Sequence, residues 1–122
     1  AFNGEFDMVL CLQNGLSAIK GSAERLITVC MQSLKKGGKA FFSTYSGKFW
    51  KDRLDWFREQ ADKKLLGEID EEKTKDGIII CKDGFKAVTF TEEELKKLGI
   101  QSGFRYEIKE IDKSSLFLIL TK

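Results

Sequence analysis

FDMVLCLQNG, residues 6–15, is the stretch on which the fold turns. Phe6–Leu12 is a nearly unbroken apolar run without alternation, the pattern of a strand covered on both faces, as in a parallel sheet. Gln13-Asn14-Gly15 closes it with a loop signal. Downstream, Ser22 stands where a helix N-cap belongs, and Ala23, Leu26, Ile27, Cys30 and Leu34 keep helical spacing. The spacing predicts a helix of about four turns. Lys35 and Lys36 would complement the dipole in its last turn, and Gly37-Gly38 would stop it. Lys39–Thr44 reads as the next strand. Strand, helix and strand at this length make a βαβ unit, which requires parallel strands and a right-handed crossover.

Beyond this unit, Ser46-Gly47 opens a longer helix. Trp50, Leu54, Phe57, Ala61 and Leu65 form its apolar stripe, and Asp52, Arg53, Arg58, Glu59, Asp62 and Lys63 its solvated face. Gly67–Asp76 is strongly charged and reads as an extended strand or a connection. Ile78–Cys81 and Phe85–Phe90 flank Lys82-Asp83-Gly84, a hairpin signal. Thr91 and Glu94 form a T-x-x-E capping box for a short helix expected to reach about Leu98 and stop at Gly99. Phe104–Ile111 and Leu116–Thr121 are two closing strands. The link Asp112-Lys113-Ser114 is short enough to make them antiparallel. The expected class is an α/β layer fold whose sheet begins parallel and ends with an antiparallel strand.

The chain has 122 residues, which allows one domain. Its 42% hydrophobic and 33% charged residues are those of a globular chain, and the net charge of +2 is no footprint for binding phosphates. No basic, aromatic-interleaved patch is present, so nucleic acid is not an expected partner. Without any His, the chain lacks the commonest metal ligand and the commonest general base near neutral pH, and no metal site is expected. Cys11, Cys30 and Cys81 form no C-x-x-C pair and read as reduced thiols of a cytoplasmic protein. The longest apolar runs, Met8–Leu12 and Leu116–Leu120, are too short to cross a bilayer, and no membrane is expected as a partner.

The order of elements and three local sequences resemble one family. Phe6–Leu16 is similar to the fourth strand and following loop of class I S-adenosylmethionine-dependent methyltransferases. Leu34-Lys35-Lys36-Gly37-Gly38-Lys39-Ala40-Phe41 resembles the L-K-P-G-G segment before their fifth strand, with Lys36 where Pro is usual. Gly103-Phe104 resembles the start of their sixth strand. Ser115-Leu116-Phe117-Leu118 would then open the seventh, which in that family lies antiparallel between the fifth and sixth. The resemblance implies that residues 1–122 are one partial domain, the C-terminal half of a Rossmann-like methyltransferase, with an inserted hairpin at about residues 67–90 that reads as a lid or as a decoration of the sheet edge. The family's glycine-rich loop and ribose-binding acid have no counterpart, since no G-x-G occurs. S-adenosylmethionine binding is therefore expected only with an N-terminal half. That half, or a second copy of the chain, is the expected cover for strand Phe6–Leu12, which would otherwise be an unprotected edge.

The carboxyl end of the first strand is where such sheets bind ligands. Leu12, Gln13, Asn14 and Gly15 are accordingly the implied cofactor-side residues. Asn14, Tyr45 and Phe49 are the implied wall for a small-molecule methyl acceptor. Asn14 could orient a polar group of the acceptor, or be a plain Asn-Gly turn. Tyr45 could line the acceptor site, or be a half-buried aromatic at a strand end. No catalytic residue is assigned, and the buried Cys11 has nothing near it to make it a nucleophile. Two other readings use the same pattern: a non-catalytic α/β interaction module, and the distal half of a nicotinamide dinucleotide enzyme. The last predicts a parallel final strand, against the tight turn at Asp112–Ser114.

Overall fold

The computed structural model of the chain describes residues 2–122. Along it run β1 (Phe6–Cys11), α1 (Gly15–Ala18), α2 (Ala23–Ser33), β2 (Leu34–Tyr45), α3 (Trp50–Asp62), β3 (Ile78–Ile80), β4 (Lys86–Val88), α4 (Glu92–Ser102), β5 (Arg105–Ile111) and β6 (Ser115–Thr121). The main sheet has the order β1-β2-β6-β5. β1 and β2 are parallel, and β6 runs antiparallel to both of its neighbours. The βαβ start and the antiparallel close agree with the sequence reading, and the parallel final strand of the dinucleotide-enzyme reading is absent. The turn that reverses β5 into β6 holds Asp112 and Lys113 at φ of 52° and 55°, the left-handed pair that suits a tight hairpin.

One sheet face carries the main core. Ala40 and Phe42 of β2 and Leu116, Leu118 and Leu120 of β6 share it with Leu16, Ile27, Met31, Leu95 and Leu98 from the three helices α1, α2 and α4. Period-two alternation puts Val9 and Cys11 on this same side. The opposite face of β1 is different: Phe6, Met8, Leu10 and Leu12 are 40%, 54%, 55% and 48% exposed. The strand expected to be covered on both faces is thus covered on one, because among the described residues no strand pairs with its outer edge and no helix layer lies over its even-numbered side chains.

Several boundaries differ from the sequence reading. α2 ends at Ser33, a turn early, and Lys35 and Lys36 lie in the extended backbone of β2. The cation that satisfies its end comes from far away: Lys122 Nζ donates to the carbonyls of Met31 (2.9 Å) and Leu34 (2.8 Å), while Ser33 Oγ donates to Cys30 O (2.7 Å). Gly38 is less a helix stop than a point of close approach, since a Cβ there would lie 2.9 Å from Asp7 O on β1. α3 ends at Asp62, so Leu65 falls outside the stripe and is 67% exposed. Arg53, assigned to the solvated face, is only 2% exposed.

α4 keeps its expected capping box, Thr91 with Glu94, but runs through Gly99 to a left-handed C-cap at Gly103. Gly99 is there for packing rather than termination: a Cβ would sit 2.6 Å from Cγ of Tyr106 on β5. Helix propensity alone would favour Gly99→Ala by about 1 kcal/mol. The ring contact reverses the sign, and Gly99→Ala is expected to lower stability by about 1–3 kcal/mol through overpacking, read as a lower urea midpoint.

α3 and the inserted hairpin form a second, smaller cluster of Phe57, Ile69, Ile79, Cys81 and Ala87, with Tyr45, Trp50, Leu54 and Leu66 packed on it. β3 and β4 pair antiparallel as read from Asp83-Gly84. The charged stretch before them runs alongside β3, with Asp70 N–H donating to Ile80 O and Lys82 N–H to Glu68 O, both at 2.8 Å. Buried Ile69 anchors it, bridged to Cys81.

Candidate functional site

The carboxyl ends of β1 and β2 lie side by side, and the loop after β1 turns there. Gln13 and Asn14 hold φ of 55° and 56°, and Gly15 N–H donates to Leu12 O at 3.1 Å, closing a tight turn. Glycine suits the next position, because a Cβ on Gly15 would meet Cys11 Sγ at 2.8 Å. The turn is stapled across three strands. Asn14 N–H donates to Ser43 Oγ (2.7 Å), Ser43 Oγ donates to Cys11 O (3.3 Å), and Ser115 Oγ donates to Asn14 Oδ1 (3.2 Å). Asn14 therefore does more than make a turn: it ties β1, β2 and β6 together. Leu12 and Gln13 remain exposed at the rim.

Behind this rim, α1 is fastened to the end of β2. The hydroxyls of Ser17 and Thr44 lie 2.5 Å apart, and Tyr45 N–H donates to Ser17 Oγ at 3.4 Å. Between α1 and β4 is a hollow of about 340 Å³ lined by Leu16, Ser17, Ile19, Phe85, Val88 and Phe90. The hairpin thus roofs the helix that begins at the expected ligand-binding loop.

Tyr45 ends β2 but turns its ring to the second cluster. The Arg53 guanidinium carbon stands 3.7 Å from its centroid and 5.7 Å from that of Trp50. Burial pulls the Arg53 pKa down to about 10, and it still carries its proton at neutral pH. Phe49 is half-buried in the 3₁₀ turn Gly47–Phe49 and joins neither core cluster. Hence Leu12, Gln13, Asn14 and Gly15 form one group with Ser43 and Ser115, whereas Tyr45 belongs with Arg53 and Phe49 with neither. A second hollow, about 370 Å³, opens beside them, lined by Ser46, Lys48, Thr89, Thr91, Glu92 and Glu110 among others. Glu110 accepts from Lys48 Nζ (2.9 Å) and Ser46 Oγ (3.0 Å), and these bonds, the lysine's first, hold its carboxyl below the usual range.

The cysteines are not activated. Burial raises the pKa of Cys11, of Cys30 and of Cys81, so none is a ready thiolate. Arg53 and Ser115 were not singled out by sequence as site residues, whereas Ser43, with Thr44, was a secondary candidate at the end of its strand. For Arg53 a signal existed: it lies three residues after Trp50 and four before Phe57, on the stripe itself. Nothing local marks Ser115, whose partner Asn14 is 101 residues away.

No family model and no curated protein matches the chain. Solved structures do. A SAM-dependent methyltransferase from Methanosarcina mazei aligns with a TM-score of 0.60 at 23% identity, over 99% of this chain and 61% of that one. A SAM-dependent methyltransferase from Bacteroides fragilis, in complex with S-adenosyl-L-homocysteine, aligns at 0.57 and 22% identity, over 98% of this chain and 49% of that one. A protein from Pyrococcus horikoshii aligns at 0.54 and 10% identity, over 98% of this chain and 55% of that one. The chain spans about half to three-fifths of each of their lengths. No helix among the described residues is long and apolar enough to cross a membrane. With parallel strands followed by an antiparallel one seated between its neighbours, the chain has a partial Rossmann-like methyltransferase fold, corresponding to the C-terminal half of the class I sheet.

Proposed function

We propose that this chain supplies the acceptor-side half of an S-adenosylmethionine-dependent methyltransferase acting on a small molecule. The observation that carries the reading is that a sheet of order β1-β2-β6-β5 with β6 antiparallel aligns over almost the whole chain with methyltransferases, one of them in complex with S-adenosyl-L-homocysteine. The loop Leu12–Gly15, at the carboxyl end of the parallel strands, is the part of the chain that would pass the cofactor. It suits one wall of such a site: Leu12 and Gln13 are exposed at its rim, and the Asn14 staple fixes its backbone. It offers no glycine-rich cradle for the ribose or amino-acid end, so the grip comes from elsewhere.

When bound, the cofactor brings a sulfonium already reactive as a methyl donor. What remains for the protein is placement and dryness. The acceptor would lie against the 370 Å³ hollow at this end of the sheet, bordered by the Asn14 loop, with the Tyr45 ring turned toward Arg53 and the hairpin of residues 67–90 as a lid that excludes water. No side chain here is assigned as general base. The partner that completes the site is an N-terminal half docked on the outer edge of β1, whose exposed Met8 and Leu10 suit an apolar cover.

Calorimetric titration with S-adenosylhomocysteine tests this. The polypeptide translated from the full gene is expected to bind it saturably, and residues 1–122 alone are expected not to bind. Absence of binding by the full polypeptide would remove the methyltransferase reading. Micromolar binding by residues 1–122 alone would remove the division of the site into two halves.

A further inference from the structure

Arg53 is a buried cation for which the described residues provide no carboxylate. Its guanidinium donates to the Thr89 hydroxyl and, at 3.4 Å, to the Val88 carbonyl, and its Nε–H has no acceptor. The rings of Tyr45 and Trp50 attract it but bring no negative charge. Buried charges are ordinarily paired, because leaving water uncompensated is costly. Here a planar fork of five donors meets only two neutral oxygens, while its natural bidentate partner is a carboxylate.

The location gives this mismatch a use. Tyr45 is the last residue of β2, at the ligand-binding end of the sheet. Thr89, which holds the guanidinium, is also a wall of the 370 Å³ hollow. The cation that lines that hollow, Lys48, is already matched by Glu110. Glu92 lies in the first turn of α4, where the helix dipole accommodates it. Arg53 is thus a buried cation without a carboxylate partner among the described residues, and it bonds a threonine that lines an open hollow.

We propose, resting on the acceptor-side methyltransferase reading, that the acceptor carries a carboxylate and that Arg53 is the group that binds it. The Thr89 hydroxyl and Val88 carbonyl hold the fork until the acceptor carboxylate enters from the hollow and takes their place. The rings of Tyr45 and Trp50 keep the guanidinium plane in position for a bidentate contact.

Trp50 reports on this contact. In a Trp56→Phe background its fluorescence would be titrated with propionate and succinate, against propionamide and chloride at matched ionic strength. A saturable change with the carboxylates and none with the amide or chloride is expected. Arg53→Gln is expected to weaken the response at least about tenfold, the worth of a charge-assisted fork. Arg53→Lys, which keeps the charge without the fork, should fall between. A carboxylate response equal to that of chloride, or one unchanged in Arg53→Gln, would overturn the proposal. Should Arg53→Gln fail to show a cooperative melt, the carboxylate-against-amide comparison on the folded parent decides alone. Cofactor binding by the full polypeptide separates the two readings. With S-adenosylhomocysteine bound and no carboxylate response, only the acceptor assignment falls. With a carboxylate response and no cofactor binding, the anion site stands and the methyltransferase reading falls.

Discussion

Phe42→Ala is expected to destabilise the chain by about 3–5 kcal/mol, the range for emptying a fully buried aromatic site. Phe42 is 0% exposed in the middle of β2, paired with Cys11 on one side and Leu118 on the other. Its ring fills the layer between the sheet and the three helices α1, α2 and α4, where Leu16, Met31, Leu95 and Leu118 are all 2% exposed or less. Those neighbours come from elements far apart in sequence, so they cannot close over the void without moving the layer. A domain of this size holds about 5–15 kcal/mol in total, and the loss takes a large fraction of it. Urea unfolding should show a much lower midpoint with an unchanged slope. Phe41 is the internal comparison. It is one residue away but on the other face, where it is only half-buried, and Phe41→Ala should cost clearly less. Equal costs at the two positions would mean that the covered face has been wrongly assigned.

The same contrast explains what was legible in the sequence. The βαβ start was readable because an apolar run, a capped amphipathic helix and a glycine pair follow in order, and each is a local signal. The closing hairpin was readable because a three-residue link permits one geometry. The antiparallel placement of β6 between β2 and β5 came from a resemblance, since no local feature of residues 115–121 dictates their neighbours. The misreadings share a cause. Lys35 and Lys36 looked like helix-end cations, but the role is taken by Lys122, 88 and 91 residues from the carbonyls it meets. Gly99 looked like a stop, but its missing side chain is needed by Tyr106 on the next strand. Arg53 looked solvated because arginines usually are, yet two aromatic faces and a hairpin absorb it. In the site, the turn at Gln13-Asn14-Gly15 was legible. Ser43 was a secondary candidate, but the staple it forms with Ser115 was not legible, because those partners are set by the register of three strands.

Residues 1–122 studied alone are expected to associate through β1, and Met8→Lys with Leu10→Lys is expected to return them to monomer. Phe6, Met8, Leu10 and Leu12 each remain about half exposed on one side of a strand whose outer hydrogen-bonding edge has no partner among the described residues. Period-two spacing lines them up, and the register Leu10↔Phe41 continues the apolar surface onto half-buried Phe41 of β2. Soluble chains seldom leave such a patch beside an open edge without a cover. Burying the exposed half of four such side chains is worth about 1 kcal/mol apiece, or about a thousandfold in affinity together. Two lysines on the strand would remove that gain and add charge repulsion across any self-pairing. On the folding of the single chain they should have little effect, within about 0.5 kcal/mol, because both side chains stand on an exposed strand face. Sedimentation velocity at tens of micromolar reads the difference, and hydrogen exchange along Met8–Leu10 reads its location. A parent chain that stays monomeric, with those amides already slow to exchange, would show that the face needs no partner. The proposed docking of an N-terminal half on β1 would then lose its physical ground. If instead the parent associates and the lysine variant does not, the same two lysines introduced into the full polypeptide should abolish the proposed binding of S-adenosylhomocysteine, by undocking the proposed N-terminal half from β1.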